Sequence, residues 1–133
     1  MDHLVKPDMT VLDIGSNIGF YSVRLAKLVG SKGEVHCFEP DRDNFKHLQD
    51  AVQHLNHVHL NNAAVSDKEG ELTIYTSHRL NVDHRTYKPE KYEDEYQVKC
   101  IAIDKYLKAD TRVDFIKMDI QGAEVLALKG MEQ

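Results

Sequence analysis

The sequence predicts an α/β fold in which helices cover a mostly parallel sheet. Two observations predict this class: short apolar runs alternate with segments of helical periodicity, and an acidic residue lies at the carboxyl end of three of these runs. Strands that alternate with helices form right-handed βαβ units, which bring the carboxyl ends of the strands to one edge of the sheet. At 133 residues, the chain is predicted to be a single domain, residues 1–133.

The first unit is a strand, a glycine turn and a helix. Met9–Ile14 is a largely apolar run that contains Asp13, and apolar residues at three-to-four spacing predict a helix over Ile18–Val29. Gly15 and Gly19 lie in the turn, where glycine lets a ligand approach the main chain closely. The helix that follows offers unpaired N–H groups and the positive end of its dipole. The turn is therefore predicted to bind a nucleotide-like ligand.

The alternation continues through the first half of the chain. A strand is expected at Glu34–Phe38, a helix at Asp41–Leu55 with Asp41 as its N-cap, and a strand at Val58–Val65. These segments complete the βαβ pattern that predicts the parallel sheet.

After Val65 the pattern changes. Leu72–Thr76 and Tyr96–Ile103 alternate apolar and polar residues, which predicts an inserted antiparallel strand pair joined by a polar loop at Ser77–Glu95. The first pattern then returns with three further elements: a short helix at Asp104–Leu107, a buried strand at Val113–Met118 and a helix at Ala123–Lys129 that Gly130 ends.

Composition argues against several classes of function. A net charge of −5 argues against nucleic acid as the main partner, because phosphate binding needs a basic face. No apolar run is long enough to span a membrane, and the N-terminus lacks the layout of a signal peptide. Cys37 and Cys100 are predicted to be buried thiols, which with the missing signal makes the cytoplasm the expected location.

The three acidic residues at strand ends are Asp13, Glu39 and Asp119. Glu39 lies one βαβ unit after Asp13, where a carboxylate can accept two hydrogen bonds from a ribose diol. The alternative interpretation is that Glu39 is only a solvated residue at the start of a helix. Asp13 suggests a cationic or amino-bearing ligand, and the alternative is that it only hydrogen-bonds nearby backbone and shapes the turn. The turn reads G-S-N-I-G rather than G-x-G-x-x-G, which argues against a dinucleotide.

Four segments together resemble the FkbM-type S-adenosylmethionine-dependent methyltransferases: VLDIGSNIGFYS, FEPD, NNAAVSDKEGE and VDFIKMDIQGAEVLALKG, in this order. The resemblance implies a Rossmann-like class I methyltransferase fold with three α/β/α layers and S-adenosyl-L-methionine as cofactor. The turn would hold the amino acid end of the cofactor, Glu39 its ribose, and Ser66 with Asp67 its adenine. By this resemblance the cofactor-binding residues would be Asp13, Gly15, Ser16, Asn17, Gly19, Phe20, Glu39, Pro40, Ser66, Asp67, Asp119 and Gln121.

Methyl transfer from a sulfonium to a hydroxyl needs positioning and a proton acceptor. Asp119 is the predicted catalytic residue, as general base or as the group that orients a small-molecule, sugar or lipid acceptor. Glu124 would face the acceptor or only cap its helix, and His78 and His84 are either bases or solvated loop residues. No metal is predicted, because His57 and His59 lack a third ligand nearby.

The resemblance ends at Gln133, where the C-terminal strands of the family's fold are absent. A truncated domain of this kind is expected to keep the cofactor crevice, to catalyse weakly and to pair with another copy through its open sheet edge. The alternative is a non-catalytic or partner-completed domain that associates through this edge. An RNA methyltransferase and a dinucleotide oxidoreductase rank below both.

Overall fold

The structure, a computed structural model, describes residues 1–76, 94–120 and 122–132. In chain order, its elements within these ranges are β1 (Thr10–Ile14), α1 (Phe20–Val29), β2 (Glu34–Phe38), α2 (Arg42–Val52), β3 (Val58–Asn61), β4 (Ala63–Val65), β5 (Gly70–Thr76), β6 (Asp94–Ile101), α3 (Ile103–Tyr106), β7 (Phe115–Met118) and α4 (Glu124–Lys129).

The main sheet is parallel, with the strand order β3-β2-β1-β7. Alternate residues of β1 pack into two separate hydrophobic cores, because successive side chains of a strand point to opposite faces of the sheet. Val11 packs with apolar residues of α1 and α2, whereas Leu12 and Ile14 pack with residues of α3 and α4. Helices therefore lie on both faces, and the predicted Rossmann-like, three-layer α/β fold is confirmed.

A second sheet forms beside the first, in the order β4-β6-β5. The antiparallel pair of β5 and β6 was expected, but β4 also joins β6 in parallel. The prediction of one strand over Val58–Val65 is wrong, because the strand breaks at Asn62. The Asn62 side-chain amide donates to the carbonyls of Glu39 (2.9 Å) and Pro40 (3.2 Å). These bonds tie the break to the end of β2, and from there the chain continues into the second sheet.

Several predicted boundaries shift. The strand expected at Tyr96–Ile103 runs from Asp94 to Ile101, because Ala102 accepts the first bond of α3 and Ile103 is already helical. The strand near residue 115 was expected to be buried, which is wrong. Within the described ranges β7 pairs only with β1, and Ile116 is 40% exposed. Residues 77–93, most of the predicted polar loop, lie outside the described residues.

Other local expectations are confirmed. Asp41 caps α2 by accepting a hydrogen bond from the Asn44 amide (2.7 Å). Cys37 and Cys100 are buried free thiols, and burial raises the pKa of Cys37 to about 12, so its thiol stays protonated at neutral pH. In the described part of the chain, no helix combines the length and the apolar character needed to cross a bilayer.

Gly130 is the point where α4 touches the second sheet. A Cβ atom at this position would collide with the carbonyl oxygen of Ser66, the residue that follows β4. The Gly130 carbonyl also accepts a hydrogen bond from the Asp104 amide of α3 (2.8 Å). A residue without a side chain therefore lets α3, α4 and the end of β4 meet.

We expect Gly130→Ala to lower the free energy of unfolding by about 1–3 kcal/mol, because the added methyl group overpacks a backbone contact. Lys129→Ala is the matched control, since Lys129 is exposed, and a surface change of this kind stays within about 0.5 kcal/mol. Urea denaturation followed by circular dichroism measures both. Equal unfolding free energies for the two variants would contradict the rigid contact.

Candidate functional site

A cavity of about 450 Å³ opens beyond the carboxyl ends of β1, β2 and β7. The main sheet contributes its strand ends and the glycine turn after β1, the second sheet contributes β4 with Leu72 and Ile74 of β5, and Leu126 of α4 completes the wall. This size and position are typical of ligand sites in open α/β sheets. We call this cavity the strand-end pocket.

Glu39 is the most constrained polar group of the strand-end pocket. It is 5% exposed, and its two carboxylate oxygens accept hydrogen bonds from different backbone amides. Oε2 accepts from Asn17 in the glycine turn (2.7 Å), and Oε1 accepts from Asp41 at the start of α2 (3.0 Å). Because backbone amides hold both oxygens, the carboxylate keeps a fixed orientation at the pocket wall.

The glycine turn is held against the ends of the neighbouring strands. The amides of Gly15 and Ser16 both donate to the Phe38 carbonyl, at 2.9 and 3.1 Å. Gly15 has a φ of 80°, and a Cβ atom there would collide with the carbonyl oxygen of Asp119. The Asp119 amide in turn donates to the Ile14 carbonyl (3.0 Å). The turn, the end of β2 and the end of β7 are thus in direct backbone contact.

Asp13 lies on the opposite face of β1, beneath the turn. It is fully buried, and its Oδ2 accepts a hydrogen bond from the Ser22 hydroxyl of α1 (2.5 Å). Lys117 of β7 stands opposite Asp13 in the strand register, with its Nζ 3.0 Å from Asp13 Oδ1. The same ammonium donates to the Gly15 carbonyl (3.0 Å). Asp13 and Lys117 thus form an ion pair, with a fully buried carboxylate and a partly buried ammonium, that supports the turn from below.

The second sheet is fastened over the pocket through Asp41. The Tyr96 hydroxyl of β6 donates to Asp41 Oδ2 (2.7 Å), while Oδ1 of the same carboxylate caps α2. Burial and this hydrogen bond raise the pKa of Tyr96, so the hydroxyl stays protonated and remains a donor. The Arg42 guanidinium lies over the Tyr96 ring at 4.8 Å, which adds a cation–π contact.

The structure brings together half of the residues expected to bind a cofactor. Six of them line the strand-end pocket: Gly15, Asn17, Glu39, Pro40, Ser66 and Asp119. Five others do not line it: Asp13, Ser16, Gly19, Phe20 and Asp67. Phe20 is 70% exposed and meets the edge of Tyr21, whereas Asp67 accepts a hydrogen bond from the Ser66 hydroxyl (3.2 Å).

The remaining candidates divide in two groups. Gln121, His78 and His84 lie outside the described residues. Glu124 does not line the pocket, and its carboxylate accepts a hydrogen bond from the Gly122 amide (2.8 Å) at the start of α4. The N-cap of α4 is Ala123, and no side-chain hydrogen bond caps this helix, so the contact joins Glu124 to the residue before the cap.

Sequence reasoning missed Lys117 and the apolar wall. The signal for Lys117 was present: in IKMD it precedes Asp119 by two residues, so a strand ending there brings it beside Asp13 if β7 neighbours β1. The wall residues Leu72 and Ile74 were recognised as strand residues, but their alternation does not reveal which surface covers them.

Comparison with known proteins identifies relatives of the chain. Residues 13–133 match the family described as the methyltransferase FkbM domain. The chain is also 28% identical, over 146 aligned residues, to the 2-O-methyltransferase NoeI of Sinorhizobium fredii. The alignment covers 96% of this chain and 59% of NoeI, so the chain spans less than two thirds of this relative.

Similar solved structures include a candidate rRNA methylase from Clostridium thermocellum (27% identity, 47% of this chain, 36% of that chain, TM-score 0.45). A SAM-dependent methyltransferase from Aquifex aeolicus is another (33% identity, 44% of this chain, 32% of that chain, TM-score 0.42). Both similarities cover less than half of either chain.

We expect Lys117→Met to lower the free energy of unfolding by about 3–5 kcal/mol, because it leaves the Asp13 carboxylate buried without its ionic partner. Adding Asp13→Asn to this variant restores part of the loss, since the neutral amide needs no counter-ion. The exposed Lys27→Met on α1 is the control. Denaturant titration of the four proteins of the double-mutant cycle measures the coupling, and strictly additive effects would rule out a stabilising ion pair.

Proposed function

The chain belongs to the methyltransferase FkbM domain family, and from this premise we propose that it binds S-adenosyl-L-methionine in the strand-end pocket for methyl transfer to a hydroxyl group. The observation that carries the proposal is the buried Glu39 carboxylate, fixed by two backbone amides at the pocket wall. A carboxylate at the end of the second strand is suited to accept both hydroxyls of a ribose.

Other features of the pocket fit the same cofactor. Gly15 and Asn17 of the glycine turn line the pocket, so the amino acid end of the cofactor would lie against this turn. Leu72 and Ile74 offer apolar surface for a flat base, and Ser66 offers a hydroxyl beside it. In this proposal Asp13 acts indirectly, because it is fully buried and holds the turn through Ser22 and Lys117.

The cofactor, when bound, supplies a methyl group activated by a positive sulfur. The contribution of the chain is then mainly positioning, because in-line displacement is fast once donor and acceptor are held at attack distance. Glu39 and the glycine turn would fix the donor. Asp119, which is exposed and follows β7 at the pocket edge, would orient the acceptor hydroxyl and receive its proton.

The proposed acceptor class is a hydroxyl on a small molecule, a sugar or a lipid. The name of the relative NoeI, a 2-O-methyltransferase, supports oxygen as the methylated atom. The alternative is a domain that binds the cofactor without turnover and associates with a partner through β7. The two proposals agree on cofactor binding and differ in turnover.

We expect titration calorimetry to detect S-adenosylhomocysteine binding, and Glu39→Gln to weaken it about 10- to 100-fold, because a charged hydrogen-bond acceptor contributes about 1.5–3 kcal/mol. Asp43→Asn is the matched control, since Asp43 is exposed in the first turn of α2 and does not line the pocket. Circular dichroism checks that both variants fold. The absence of heat with the unmodified chain at high ligand concentration would refute the proposal.

We expect Asp119→Asn to lower the turnover number about 100-fold or more, because general-base catalysis contributes about 10²–10⁴ in rate. The affinity for S-adenosylhomocysteine should change little by comparison. Transfer of labelled methyl groups to a panel of sugar and lipid hydroxyls measures turnover, with Asp43→Asn as the control because Asp43 is exposed and does not line the pocket. Binding without transfer to any hydroxyl would favour the non-catalytic alternative.

A further inference from the structure

A second cluster of polar side chains lies on β2 and β3. Glu34 and His36 are two residues apart on one face of β2, and His59 of β3 is the register partner of His36. One potential ligand atom from each of the three residues lies within 4.8 Å of the other two. Glu34 is 3.4 Å from His36 Nε2 through one oxygen and 3.8 Å from His59 Nε2 through the other.

Of the two ring nitrogens of His36, one is hydrogen-bonded and the other is not. The residue is 8% exposed, and its Nδ1 lies 2.9 Å from the Tyr106 hydroxyl of α3. That hydroxyl also accepts a hydrogen bond from the Asn61 side-chain amide (3.1 Å). Nε2 is buried and has no hydrogen-bond partner among the residues that the structure describes. Glu34 Oε2, 3.4 Å away, does not form a hydrogen bond with this nitrogen, and a buried polar atom without one is costly, so it points to a ligand at this position.

We propose that Glu34, His36 and His59 form a binding site for a divalent transition-metal ion, with zinc as the ion that fits best. Two imidazole nitrogens and one carboxylate oxygen are an established donor set for zinc that leaves a fourth position open. Ligands about 2.0–2.1 Å from a tetrahedral zinc ion lie roughly 3.3–3.4 Å from one another. The 3.4 Å separation of Glu34 and His36 already has this value.

The surroundings of His36 suit this role. A ring that binds metal through Nε2 carries its proton on Nδ1, where it would donate to the Tyr106 hydroxyl and fix the orientation of the ring.

One movement is required. The rings of His36 and His59 are stacked, with centroids 4.6 Å apart and planes inclined by 17°. Nearly parallel rings do not direct their lone pairs at one point, so the His59 ring must turn toward His36 and Glu34. Its side chain is 44% exposed, which leaves room for this rotation. His57, the other histidine of this segment, contacts the Ala26 carbonyl of α1 instead (3.0 Å).

The cluster is separate from the strand-end pocket. None of its three residues lines that pocket, and Glu34 begins β2, whereas Glu39 follows its end. A bound ion would join β2 to β3 and, through Tyr106, to α3. The proposal does not depend on cofactor binding, so the two can fail independently.

The test is a zinc titration of metal-free protein in competition with a chromophoric chelator. We expect one equivalent to bind, and His59→Asn and Glu34→Gln each to raise the dissociation constant about tenfold or more. Tyr106→Phe should weaken binding about 10- to 100-fold by removing the outer-shell hydrogen bond while preserving the ring. His54→Asn is the control, because His54 is exposed and outside the cluster.

Cobalt substitution gives a second readout, since visible absorption bands report a low-coordinate site with nitrogen ligands. These bands should be present in the unmodified chain and in His54→Asn, and absent in His59→Asn. No stoichiometric binding by the unmodified chain, or equal affinity of His59→Asn and His54→Asn, overturns the proposal. His36 is buried and its replacement could disturb folding, so the test relies on the exposed ligands. S-adenosylhomocysteine binding, measured in parallel, should be unchanged in His59→Asn.

Discussion

The backbone contact at Gly15 is the constraint on which the strand-end pocket depends. At this residue the chain leaves β1, receives the Asp119 carbonyl where a Cβ atom would stand, and donates to the end of β2. Three strand ends therefore converge with no side chain between them. This convergence brings Glu39 and Asp119, which are far apart in sequence, to the wall of one cavity. Any larger residue at position 15 would have to separate β1 from β7.

The convergence needs support from below. Gly15 and Asn17 readily adopt the positive φ of the turn, but this local preference does not fix where the turn lies relative to β7. Asp13 and Lys117 give this support: the ammonium contacts both the Asp13 carboxylate and the Gly15 carbonyl. Burying the Asp13 carboxylate and part of the Lys117 side chain costs several kcal/mol, which the attraction between the two charges roughly offsets. The pair therefore contributes little net stability but fixes the position of the turn, since the two charges meet only when β1, β7 and the turn are in register.

The sequence was sufficient to predict those elements that depend only on local sequence patterns. The first two strands, their helices and the cap at Asp41 follow from periodicity and N-cap chemistry, and the acidic residues at strand ends followed from the order of βαβ units. The break at Asn62 could not be predicted, because it depends on hydrogen bonds to the carbonyls of Glu39 and Pro40. Asp13 was expected near the ligand. The face of β1 on which it lies depends on tertiary packing, which the local sequence does not reveal. The exposure of Ile116 likewise depends on which strands flank β7.

One face of β2 links the strand-end pocket to the cluster of Glu34, His36 and His59, which we call the histidine cluster. Glu34, His36 and Phe38 alternate along this face, and Phe38 lines the strand-end pocket. The Tyr106 ring contacts both His36 and Phe38 edge-on, with centroids 5.5 and 5.1 Å away. Packing contacts of this kind couple two ligand sites only if an element between the sites has two arrangements and a ligand favours one of them. β2 is an inner strand of the main sheet, paired with β1 on one side and β3 on the other. An ion at the histidine cluster would therefore strengthen the packing of β2 and β3 rather than regulate the pocket.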